Sequence, residues 1–147
     1  MKNLLESENN SSKINPYLFS FQGNSNAAGR LNFWENCDLF PQGIQRCFWI
    51  SNVGKGETRG NHAHYQESQV LLAIAGALQV EVTNLKGENF YFDLDSADQG
   101  LYVPPLHWVI VHFEPEAVLL GMSDRKFSDD DFIRDKEYFE SLRQAVK

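Results

Sequence analysis

Between Gly29 and Ser123 the chain is a succession of short runs in which apolar and polar residues alternate, separated by Gly, Pro and Asn turns. A period of two belongs to a strand with one buried face, because successive side chains point to opposite sides of a sheet. GRLNFWEN carries Leu31 and Phe33 on one face, and RCFWISNV is β-branched and aromatic, bounded by Asn52 and Gly54. The run Val70 to Ala75 is continuously apolar and by itself fits a buried strand or a helix segment. Leu78, Val80 and Val82 then alternate with Gln79, Glu81 and Thr83, which favours two strands joined near Gly76. NFYFDLD, GLYV, HWVIVHF and AVLLGMSD continue the pattern, and Pro104-Pro105 ends a strand because proline cannot donate to a ladder. About nine short strands at close spacing predict an all-β sandwich or barrel.

The last segment, SDDDFIRDKEYFESLRQAVK, opens on Ser128 and acids and closes on bases, which suits a helix dipole. Phe132, Ile133, Tyr138, Phe139 and Leu142 form its apolar stripe, so a C-terminal helix packed on the barrel is expected. Residues 1–15 are rich in Asn and Ser and read as a flexible tail, leaving 16–147 as a single domain.

Charge narrows the function. A net charge of −7 leaves no basic excess to displace counterions, so no nucleic-acid partner is expected. An anionic small ligand gripped by one or two arginines remains compatible with it. No long apolar run predicts a membrane span, and no apolar stretch resembling a signal peptide follows Met1, so a cytoplasmic protein is expected. Cys37 and Cys47 are too few for a disulfide scaffold and are expected reduced.

The densest chemical cluster is Arg59-Gly60-Asn61-His62-Ala63-His64. In a strand His62 and His64 share a face, while Arg59 has the opposite parity unless a bend intervenes at Gly60. Two imidazoles on one barrel wall form either a metal site or an acid/base pair. On an outer face they would be solvent histidines. Arg59 is the best candidate for a phosphate contact and Arg46 the second, since guanidinium forks match phosphate oxygens. Gln69 points inward if the register holds, where its amide can hold a ligand hydroxyl. Trp108 is a candidate pocket wall or a core residue, and His107 and His112 read as structural or exposed.

The spacing Gly56-x5-His62-x-His64-x4-Gln69-x6-Gly76 resembles the first cupin motif, with Gln69 where that motif carries a Glu ligand. Gly100-Leu-Tyr-Val-Pro104-Pro105-Leu-His107-Trp108-Val109 resembles the second, with Val109 where the third histidine belongs. More closely, FPQGIQRCFWISNV, RGNHAH, QVLLAIAGALQVEV, GLYVPPLHW and FIRDKEYF resemble, in the same order, the WxcM-like or FdtA/QdtA-type nucleotide-sugar 3,4-ketoisomerases of the cupin superfamily. That resemblance implies a jelly-roll barrel, a homodimer with exchanged N-terminal strands, no metal and no cofactor. It also implies conversion of dTDP-4-keto-6-deoxy-glucose to a 3-keto sugar, with His62 and His64 carrying the proton transfers. Tyr102 resembles a pocket residue of the family. The sequence departs from the family at Phe48 and Trp49, where a tyrosine pair is common, and at Tyr65, where Lys or Arg is common; Tyr65 becomes a candidate hydroxyl. Two alternatives stand beside the isomerase: a metal-dependent cupin enzyme and a non-catalytic nucleotide-sugar-binding cupin.

Overall fold

The structure is a computed structural model that describes residues 14–35 and 38–143. Most of the expected tail, and Cys37, lie outside the described residues. The strands are β1 (Tyr17–Ser20), β2 (Gln22–Asn26), β3 (Gly29–Phe33), β4 (Arg46–Ile50), β5 (Thr58–His64) and β6 (Gln69–Ala75). They continue with β7 (Leu78–Thr83), β8 (Asn89–Leu94), β9 (Gln99–Val103), β10 (Trp108–Phe113), β11 (Val118–Ser123) and β12 (Phe132–Ile133). One helix, α1, spans Lys136–Ser141.

Two five-stranded antiparallel sheets, ordered β1-β9-β6-β11-β4 and β12-β5-β10-β7-β8, face each other as the walls of a jelly-roll barrel. Between them pack the inward residues of the alternating runs: Leu78, Val80 and Val82 of β7, Leu94 of β8, Leu101 and Val103 of β9, Val109 and Val111 of β10. β6 is apolar from Val70 onward, and both its faces are covered as far as Ala73. Leu71 and Ala73 enter the barrel, while Val70 and Leu72 join Phe21, Phe40, Tyr102 and Met122 in a second cluster. Gly76 turns the chain from β6 to β7 with φ +67, and a Cβ there would stand 2.8 Å from Ala117 Cα.

Two expectations change. The chain before Gly29 contributes β1, which pairs with β9, and β2, which forms a hairpin with β3. Gln22–Asn26 is polar and carries no alternation to mark it. At the other end Phe132 and Ile133 are not helical; they pair with His64 and Ala63 on the open edge of β5. The helix starts only after Asp135, whose side chain accepts from the Glu137 and Tyr138 amides and caps it. Satisfying the edge strand's backbone outweighs extending a helix whose apolar stripe was only approximate.

Candidate active site

The site is built on β5, where a bulge sets the geometry. Arg59 pairs with Val111, Gly60 with Ile110 and His62 with Val109, so Asn61 is an extra residue in the ladder. Gly60 and Asn61 both take positive φ, +89 and +56, to accommodate it. A Cβ on Gly60 would meet Val109 O at 2.6 Å, so only glycine fits. The bulge resolves the parity question: Val109 and Val111 both face inward, and Arg59 and His62 are carried onto the same wall as their partners.

That wall bounds a cavity of about 560 Å³. Leu71, Val109, Val111 and Leu119 give it an apolar floor, Gln69 and Arg46 stand on the opposing sheet, and Arg59, Asn61, Phe127, Phe132 and Arg134 surround the opening. Its charged lining residues are Arg46, Arg59 and Arg134; no carboxylate lines it among the described residues. In a chain of net charge −7 this is a local reversal of sign.

His62 lines the cavity, its Nδ1 2.9 Å from Gly60 O. A carbonyl can only accept, so Nδ1 carries the proton and Nε2 is the free basic nitrogen. Burial pushes the His62 pKa below the ordinary imidazole value. His64 sits behind it, ring centroids 4.9 Å apart and nearly perpendicular. Its Nε2 lies 3.2 Å from Glu67 Oε2 and its Nδ1 3.5 Å from Asp131 Oδ2. The second separation is long for a hydrogen bond, and Nδ1 has no well-formed partner. Burial first, then the neighbouring His62, push the His64 pKa down to about 4, against the opposing pull of Asp131. Phe132 covers both rings, at 4.9 Å from His62 and 4.3 Å from His64.

Behind the histidines is a polar network. Arg46 Nη2 contacts Glu67 Oε1 at 3.0 Å and Oε2 at 3.1 Å, with Phe48 and Phe127 against its guanidinium. Gln69 donates to Glu67 Oε2 and lies 3.4 Å from His64 Nε2. Asp131 accepts from the Gln66 and Glu67 amides and so fixes the β5–β6 turn.

The predicted residues thus divide. Arg46, Arg59, His62 and Gln69 line one cavity, and His64 supports it from behind. Tyr102 does not line it: on β9 its neighbours Leu101 and Val103 face the barrel, so Tyr102 points outward, its hydroxyl 3.3 Å from Ser68 Oγ. Trp108 is likewise on the outer parity of β10 and packs on Phe139 of α1, ring centroids 5.6 Å apart. Tyr65 lies past the end of β5 and bonds Tyr138 instead of reaching inward. His107 is buried against Pro105 O, and His112 pairs with Glu81 on the outside. Phe48 and Trp49 both line the cavity, Trp49 from an exposed position at 69%. Sequence reasoning missed Glu67, Asp131, Phe132 and Arg134. The pairing of β12 with β5 brings in Asp131, Phe132 and Arg134, while Glu67, three residues past His64, is turned back onto it by the β5–β6 connection.

The positions equivalent to the remaining cupin ligands hold Gln69, engaged by Glu67, and Val109, which has no donor atom. Among the described residues no three His, Cys, Asp or Glu side chains converge as a metal site. Fold and site together define a cupin-like barrel whose open end is a histidine-bearing, arginine-rimmed cavity.

Comparison with known proteins agrees. Residues 14–144 match the family model FdtA, described as WxcM-like, C-terminal, and the chain belongs to that family. It is 30% identical over 125 residues, 83% of this chain and 88% of the relative, to a TDP-4-oxo-6-deoxy-alpha-D-glucose-3,4-oxoisomerase of Aneurinibacillus thermoaerophilus. The fold superposes with a TM-score of 0.83 on a double mutant of the QdtA 3,4-ketoisomerase of Thermoanaerobacterium thermosaccharolyticum in complex with TDP, at 27% identity, covering 90% of this chain and 96% of that one. It also matches the TDP-fucose-3,4-ketoisomerase WlaRA of Campylobacter jejuni in fold, with a TM-score of 0.80 at 22% identity, covering 90% and 98% of the two chains.

Proposed function

We propose that the chain is a nucleotide-sugar 3,4-ketoisomerase, moving the carbonyl of a dTDP-4-keto-6-deoxy-hexose between C4 and C3 by histidine-mediated proton transfer. The observation that carries this reading is the cavity itself, where a free imidazole nitrogen meets three arginines and no carboxylate. A C4 carbonyl acidifies the C3–H. Neutral His62 removes that proton through Nε2, giving an enediol-like intermediate once O4 is protonated. Proton return to C4 and loss of the O3 proton leave the carbonyl at C3, with no net oxidation. The lowered pKa of His62 keeps it a base at neutral pH. Arg46 lines the cavity, and a fixed cation there suits the negative charge that develops on the sugar oxygens. Arg59 and Arg134, at the opening, suit the diphosphate. His64, with Glu67 and Asp131 behind it, is the second group of the proton relay; its place behind His62 supports assigning the carbon step to His62.

The same reading includes a homodimer with exchanged N-terminal strands. It is supported by exposed apolar side chains on and beside the β2–β3 hairpin, Leu31, Phe33 and Ile74, and light scattering would measure the mass.

The test is a proton NMR time course in D₂O with dTDP-4-keto-6-deoxy-glucose. The wild type is expected to wash out the C3 proton and accumulate a 3-keto species. No washout, with line broadening proving that the nucleotide sugar binds, would replace the isomerase by a binding protein.

A further inference from the structure

Glu67 is the most deeply buried charged side chain of the site, 2% exposed, and its hydrogen bonds reach the cavity lining at Arg46 and Gln69. Its surroundings are fully specified. The Glu67 amide donates to Asp131 Oδ2 at 3.0 Å, and the neighbouring Ser68 amide donates to Asp124 Oδ1 at 3.0 Å, so the turn that carries it cannot drift. Oε1 and Oε2 accept from Arg46, and Oε2 also accepts from Gln69 and faces His64 Nε2 at 3.2 Å.

A buried carboxylate is costly unless it is paired and hydrogen-bonded, and Glu67 is both. Its contacts have a directional consequence. A carboxylate can only accept, so its approach to Nε2 favours the imidazole form that carries the proton there. The His64 ring otherwise has a competing choice, since Asp131 stands on its Nδ1 side at 3.5 Å and the Gln69 amide nitrogen, a donor, lies 3.4 Å from Nε2, both farther than Glu67 at 3.2 Å. The shorter contact decides. At the same time the carboxylate occupies one edge of the Arg46 guanidinium, while Phe48 and Phe127 pack against it at 5.1 and 5.5 Å from their ring centroids. Arg46 Nε is buried without a partner.

We propose that Glu67 is a positioning residue of this site: its buried carboxylate holds His64 in the Nε2–H tautomer and sets the Arg46 guanidinium in the cavity wall. The inference rests on the isomerase reading only for its kinetic consequence; the tautomer belongs to the protein alone. The groups facing His64 are His62 on its own strand, Glu67 and Gln69 across the turn, Arg46 from β4 and Asp131 from the segment before β12. Removing the Glu67 charge leaves Arg46 unopposed beside both histidines, and both then bind protons less readily.

The experiment is long-range ¹H–¹⁵N correlation of the imidazole nitrogens across pH, on wild type, Glu67→Gln and Glu67→Leu. The wild type is expected to show His64 as Nε2–H. Glu67→Gln, isosteric and still able to accept from Nε2–H, should keep that tautomer, with His62 and His64 titrating at a pH about one unit lower. Glu67→Leu should lose the tautomer preference. In turnover, Glu67→Leu should lower kcat about a hundredfold with KM within a few-fold. The acid limb of kcat/KM should move to lower pH in both variants, whereas a merely structural role would leave that limb in place. An Nδ1–H His64 in the wild type overturns the proposal. So does Glu67→Gln with unchanged titration of both histidines, and this result stands even if Glu67→Leu does not fold. Absence of turnover in the wild type would sink the isomerase and leave the tautomer result to decide about Glu67.

Discussion

Strand β10 has a different neighbour on each side, and the two pairings are built on opposite principles. On one side it runs against β7 for six residues in unbroken register, Trp108 opposite Thr83 through Phe113 opposite Leu78. On the other it meets β5 with a bulge, two positive φ angles and a glycine that nothing can replace. The regular side produces core: Leu78, Val80 and Val82 are essentially inaccessible. The irregular side produces a site, since the bulge brings Arg59 and His62 to one wall and leaves space in front of them. Regularity buries area, and a local defect re-aims side chains at a cost in backbone strain.

The comparison can be broken most forcefully at His62. His62→Asn should reduce isomerisation by about 10²–10⁴-fold, the usual contribution of a general base, while the urea midpoint stays near that of the wild type. The same NMR time course with chemical denaturation checks both halves. Leu78→Ala should do the reverse. Loss of a fully buried leucine costs about 2–5 kcal/mol of stability, read from urea unfolding, while the folded fraction retains its kcat. Gly60→Ala sits between the two. Its methyl would press on Val109 O in a left-handed backbone, so about 1–3 kcal/mol of stability and a large part of the turnover should go together. If Gly60→Ala lost stability alone, the bulge would be a folding device without a functional share.

The smallest effect is the pH dependence. His64 is held down to about 4 and His62 is also lowered from 6.5. Below 6.5 the unfolded chain takes up protons that the folded chain refuses, so stability falls as pH drops through the window from 6.5 toward 4. Between pH 6.5 and 5 the urea midpoint of the wild type should fall more than that of His64→Asn. Equal slopes would show that His64 is not desolvated.

Much of this was legible in advance. Alternation in β7, β8 and β10 marks which residues face the barrel, because a half-buried strand admits no other pattern. The RGNHAH segment announces its two histidines and, through Gly60, the place where parity can break. Tyr102 and Trp108 show the limit: each stands beside the right motif, and each lies on the wrong parity of its strand. Tyr65 fails for a different reason, since a hydroxyl past the strand end satisfies itself on Tyr138.

The sequence by itself determined the strand periods, the glycines at the turns and the pairing of two imidazoles on one wall, because these depend on residues within a few positions of one another. The tertiary structure alone decided that His62 faces the cavity and His64 stands behind it. It also decided that Glu67 and Asp131 flank the hidden ring and that Phe132 covers both. Asp131 meets the Glu67 amide across 64 residues of chain. Only when β12 closes the edge of β5 do these charges come together, and burial then sets their protonation.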